Sequence, residues 1–137
     1  MRGKELCNLL KVGQLKAEPY SQSEYDGHLR NGRARLSDAG APALSTSGRF
    51  LLAYGAAYQF ALAALRRQGY RPVNRYVVFQ CLPHTLDAGP EIWRVLAAAH
   101  DVRNGFEYEA VEEVTDDLCE QVIRCAGQLA AMLDQPV

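Results

Sequence analysis

Apolar residues recur at helical spacing along most of the chain. Phe50, Tyr54, Ala57, Tyr58, Ala61, Leu62 and Leu65 follow one another at intervals of three and four, the pattern of one buried helical face. Ser45, Thr46 and Ser47 each offer a capping hydroxyl, and Gly69 and Pro72 end the run, so a helix is predicted over Ser47–Gln68. Gly55, Ala56, Ala57, Ala61, Ala63 and Ala64 keep it thin, which places it at the centre of a bundle with neighbours on several sides.

A second helix opens at the capping-box pair Ser21 and Glu24, carries Tyr25, Leu29 and Leu36, and stops at Gly40 and Pro42. Pro90 suits a first helical position, and Ile92, Val95, Leu96, Ala99, Val102 and Phe106 then mark a helix to Tyr108. Thr115 caps the last one, Asp116 and Asp117 favour its N-terminal dipole, and Val114, Leu118, Val122, Cys125, Leu129 and Met132 form its stripe. Residues 74–86 mix β-prone Tyr76, Val77, Val78 and Phe79 with Pro83; a short helix bent at Pro83 is predicted. The fold expected is all-α, an antiparallel up-and-down bundle of four long helices with one or two short ones. It forms one domain over 1–137, with a short helix and linker over 1–20 and the bundle over 21–134.

Composition narrows the class without naming a chemistry. With 137 residues and 48% hydrophobic positions, the chain can bury one core and is neither disordered nor low in complexity. No apolar run approaches the roughly 20 residues of a membrane span, and the first residues do not read as a secretory signal. The four cysteines lack metal-site spacing, so a metal site is not expected, and the reading is a cytoplasmic protein whose thiols are small core residues. Charge is divided: residues 1–75 carry 12 Lys/Arg against 5 Asp/Glu, net +7, and residues 76–137 carry 3 against 11, net −8. The halves can neutralise each other or leave a basic surface for an anionic partner.

One charge breaks the amphipathic pattern. Arg103 falls near the middle of the stripe made by Ile92, Leu96, Ala99 and Phe106, where an unpaired guanidinium would cost several kcal/mol. His100, Asn104 and Glu107 lie beside it at helical spacing. The two readings are an internal Arg103–Glu107 pair and an arginine fork presented to a phosphate or carboxylate. Arg66, Arg67, Arg71 and Arg75 gather where one helix ends and the next segment begins; they serve solubility or take RNA phosphates. Arg30, Arg33 and Arg35 point around their helix and make a poor groove. His28 and His84 stand without a constellation, and Tyr54 and Tyr58 read as core packing. The absence of a Gly-rich phosphate loop, a GxSxG elbow and an aromatic RNA-stacking sheet signature disfavours nucleotide hydrolysis, acyl transfer and sheet-type RNA binding.

The run from Arg49 to Leu65, then Gly69-Tyr-Arg-Pro72, then Asp101-Val-Arg-Asn-Gly-Phe-Glu-Tyr-Glu109 resembles the helical HEPN superfamily over roughly residues 45–133. That resemblance implies a dimerising helical bundle, with no cofactor, of the kind found as metal-independent endoribonucleases in toxin–antitoxin and defence systems or beside minimal nucleotidyltransferases. In the ribonuclease members an Arg is followed four to six residues later by a His at the dimer interface. Arg103 and Asn104 match the start of that motif; Tyr108 stands where the His would be. A phenol with a pKa of about 10 is a poor base at neutral pH. The leading expectation is therefore an RNA- or nucleotide-binding protein of a bacterial toxin–antitoxin or defence module. Its contacts would come from Arg103 and Asn104, with Tyr108 as neighbour and Arg66, Arg67, Arg71 and Arg75 as further phosphate ligands. The alternatives are an endoribonuclease using Arg103 with Tyr108 or His100, and a non-catalytic partner of a nucleotidyltransferase.

Overall fold

The computed structural model describes residues 2–105 and 114–134. Its elements run α1 (Arg2–Lys11), β1 (Leu15–Ala17), α2 (Gln22–Ala39), α3 (Thr46–Arg67), β2 (Tyr70–Pro72), α4 (Arg75–Gln80), α5 (Leu82–Thr85), α6 (Pro90–Asn104) and α7 (Asp116–Leu133). Four helices begin on a side chain that accepts the backbone N–H three residues on: Ser21 from Glu24, Ser45 from Gly48, Asn74 from Val77 and Thr115 from Leu118, at 3.0–3.3 Å. Each such cap contributes about 1 kcal/mol. In the capping box at α2 only the serine half is used locally, because the Glu24 carboxylate turns to Arg66 and His28 instead.

Helix α3 is the centre of the core, as its small residues predict. Phe50, Ala53, Ala56, Ala57, Phe60, Ala63 and Ala64 are fully buried along it, and Ile92, Leu96 and Ala99 of α6 and Cys119, Val122, Ala126 and Leu129 of α7 pack around it. Helix α2 approaches closely because Gly32 has no side chain; a Cβ there would sit 2.6 Å from the Phe60 ring. Leu6 of α1, Leu15 of β1, Leu65 of α3, and Val77 and Cys81 form a second cluster at one end. The β-prone stretch is helical as expected, but as two pieces, α4 and α5, that meet at Cys81, with Pro83 in the first turn of α5. The antiparallel pair β1–β2, Leu15 opposite Pro72, was not anticipated; strands of three residues are too short to show a period.

Contacts near the helix ends give the directions of the four long helices. Helices α2 and α3 are antiparallel, since Arg49 meets the Ala39 carbonyl at one end and Arg66 meets Glu24 at the other. Thr46 bonds Asp116 and Arg49 bonds Glu120, so α3 and α7 start side by side, while Arg33, midway along α2, pairs with Asp134 beyond the end of α7. Helix α7 therefore runs parallel to α3. Between them α6 runs back, with His100 near its end at Tyr54 in the first half of α3 and Glu91 at its start beside Cys125 midway along α7, so α2, α3, α6 and α7 alternate in direction. None of the described helices is long and apolar enough to cross a membrane.

Candidate functional site

Three arginines from three helices meet at one cleft on α3. Arg35 of α2, Arg75 of α4 and Arg103 of α6 line it together with Leu51, Leu52, Tyr54 and Gly55, around a volume of about 250 Å³. Each is placed by a local feature. Gly55 leaves room for the Arg35 stem, which lies 3.3 Å from where a glycine Cβ would be. The Asn74 cap starts α4 so that the Arg75 guanidinium stacks 4.3 Å from the centre of the Tyr58 ring. Arg103 comes from the last turn of α6 and lies 5.8 Å from the centre of the Tyr54 ring. Aromatic faces hold guanidinium groups while leaving their in-plane N–H edges to other acceptors.

Beside the arginines runs a chain of hydrogen bonds whose direction can be worked out. Arg103 donates to the Asn104 side-chain oxygen at 3.4 Å, which fixes the amide so that its nitrogen donates to His100 Nε2 at 3.1 Å. An imidazole accepting at Nε2 carries its proton on Nδ1 when neutral, and Nδ1 is 3.0 Å from the Tyr54 hydroxyl. Tyr54 then accepts from His100 and keeps its own O–H to donate. Burial pushes the Tyr54 phenol above its ordinary pKa, against the pull of Arg75 and Arg103, so it stays protonated at neutral pH. Burial likewise lowers the pKa of His100; Asp101 opposes the shift, and the positive charges of Arg103 and Arg75 add to it. Three cations and a phenol thus line one opening, with a neutral imidazole behind the phenol, an arrangement with the chemistry to hold an anion.

The other arginines singled out from the sequence lie elsewhere. Arg66 is 3% exposed and turned inward. It donates to Glu24, to the carbonyls of Glu18, Pro19 and Tyr70, and pairs with the Glu18 carboxylate at 3.3 Å. Arg67 reaches the Tyr25 hydroxyl, and the exposed Arg71 lies 3.5 Å from Glu18. Of that group only Arg75 joins Arg103. Arg35, dismissed as part of a dispersed set, is the third wall; the signal that could have found it is Gly55, a glycine inside an otherwise Ala-rich helix. Tyr108 and Glu107 lie outside the described residues, so neither the motif's last position nor the Arg103–Glu107 pair is placed. His28 bonds Gln59 and Glu24 and belongs to the Arg66 region. Burial pushes the Cys81 thiol up to about 11, and those of Cys119 and Cys125 upward too, as expected of core cysteines, whereas Cys7 is exposed and departs from that expectation. Among the described residues no group of three or more His, Cys, Asp or Glu is placed to hold a metal ion.

No protein-family model, curated protein or solved structure matches this chain.

Proposed function

We propose that the chain is an RNA-binding protein of HEPN type that grips a backbone phosphate in the Arg35–Arg75–Arg103 cleft. The observation that carries the reading is the convergence of three guanidinium groups from three separate helices on one opening. Arginine forks match phosphate oxygens better than lysine does, and the Tyr54 hydroxyl adds a neutral donor. At about 250 Å³ the cleft is smaller than a drug-sized pocket and suits one phosphate with part of its sugar. The HEPN resemblance supports the same reading, because the arginine that matches the family motif, Arg103, is one of the three. The dimeric state and the toxin–antitoxin or defence setting come from that resemblance alone.

The test is fluorescence anisotropy of a labelled single-stranded RNA with the wild type and Arg103→Ala. Losing one charge-assisted phosphate contact should weaken binding about tenfold at unchanged thermal stability. Equal affinity in a folded Arg103→Ala protein overturns the proposal. A second reading, metal-independent RNA cleavage, draws on His100, a neutral imidazole within the Arg103 network whose Nε2 would have to release the Asn104 amide before taking a proton. Cleavage in the presence of chelator above the Arg103→Ala background would establish it.

A further inference from the structure

Beyond the arginine cleft, on the other side of α4, lies a second opening of about 310 Å³ whose wall is mostly apolar. Tyr76, Gln80, Pro83, His84 and Trp93 line it. Tyr76 is 39% exposed, so part of its ring is open to solvent at this wall. It is nevertheless fixed in place, with its ring centre 5.4 Å from that of His100. Trp93 forms the facing part of the wall, and the Arg94 guanidinium lies 5.5 Å from the centre of its ring.

We infer that this opening is a nucleobase site, taking an unpaired base of an RNA strand whose phosphate lies in the arginine cleft. The inference rests on the phosphate reading above and names the part of the ligand that the phosphate reading leaves unspecified. Three observations carry it. The two openings are neighbours across α4, where Arg75 lines one and the next residue, Tyr76, lines the other. His100 joins them physically, since its ring touches Tyr76 and its Nδ1 bonds Tyr54 of the cleft. The chemistry of the wall is that of a base pocket: aromatic surfaces for stacking, with the Gln80 amide and the His84 imidazole to meet a base edge. Both recognised parts of a nucleotide, the charged diester and the flat base, thus find matching surfaces side by side.

Trp93 is the single tryptophan of the chain, so intrinsic emission reports on this wall directly. The experiment titrates full-length protein with a hexaadenylate RNA and with the same strand carrying abasic residues, following anisotropy and Trp93 emission together. The base-bearing strand should quench Trp93 and bind about tenfold more tightly than the abasic one. Tyr76→Ala should erase that difference, and Tyr76→Phe, which keeps the ring, should restore it; far-ultraviolet circular dichroism confirms that both variants fold. Equal binding of the two strands by the wild type overturns the base site and leaves the phosphate cleft standing. Failure of both strands to bind overturns both readings. Equal binding accompanied by self-association that Tyr76→Ala abolishes also overturns it, and assigns the opening to contact between copies of this chain.

Discussion

Arg66 and Arg103 sit on helices that pack together, and each has aromatic or carboxylate neighbours within a few ångströms, yet their settings differ. The nitrogens of Arg66 meet two carboxylates and three backbone carbonyls, so its hydrogen-bonding capacity is taken up inside the protein. That closes the junction of β1, α2, α3 and β2. Arg103, like Arg75, instead lies against an aromatic ring at the edge of an opening. The number of arginines in a region therefore says little about ligand binding. Arg66 is spent on carboxylates and carbonyls in the interior, whereas Arg103 stacks on an aromatic ring at an opening while also donating to Asn104.

The strongest way to break the comparison is Arg66→Met. Removing the guanidinium strands three carbonyls and loosens two partly exposed carboxylates, at a cost of about 3 kcal/mol, or a Tm lower by about 10 °C. RNA affinity of the folded variant should be unchanged; a loss of affinity at intact stability would merge the two regions. The acid limb carries the same signature. Burial pushes the Glu24 pKa up, but the hydrogen bond and charge of Arg66, helped by His28, overcome it and hold the carboxyl below its ordinary value. Its contribution is present above the unfolded pKa of about 4.3 and disappears as pH falls through the lower folded value. Acid melts of Arg66→Met should lack that component.

Next in size are Arg103→Ala and Arg75→Ala. Each should reduce RNA affinity about tenfold and lower the slope of log affinity against log salt by about 0.7, while moving Tm little. Arg71→Ala, outside the cleft, serves as the control and should do neither. A uniform loss across all three would mean that a diffuse basic surface, rather than a cleft, holds the RNA.

A smaller effect belongs to His100. Its folded pKa lies below the ordinary value of about 6.5, so the unfolded chain takes up a proton first and stability declines as pH falls through that region. A bound phosphate offsets the field of Arg103 and Arg75 and raises the His100 pKa toward its ordinary value. Melts between pH 7.5 and pH 5.5 should therefore show a decline that saturating RNA reduces and His100→Gln removes. A decline that RNA leaves untouched would separate His100 from the ligand.

Much of this architecture is legible locally. Ser21, Ser45 and Thr115 cap where their residue types predict, Pro90 starts its helix, and the misfit of Arg103 on its stripe marks the cleft from one helix alone. What is not legible depends on pairings between distant segments. Tyr54 and His100 are 46 positions apart, and nothing in either run says they touch. Arg66 reads as a surface charge at a helix end until β1 and α2 supply carbonyls and carboxylates to it.

The subtlest test of the contrast is Gly55→Ala. A glycine in the middle of a 22-residue helix costs about 0.5–1 kcal/mol relative to alanine, so a purely structural view predicts a modest gain in stability. The added Cβ would approach the Arg35 Cδ to 3.3 Å; that side chain is flexible and can give way, so most of the gain should survive. Its displacement, however, moves one of the three guanidinium groups out of register with the other two. RNA affinity should then fall by about two- to threefold while Tm rises by about 2 °C. Gain and loss moving in opposite directions would show that the gap at Gly55 serves the placement of Arg35 rather than the packing of α2 on α3. Gly32→Ala is the counterpart at the closed helix contact: its Cβ would collide with the Phe60 ring, and it should lower stability without a specific effect on binding.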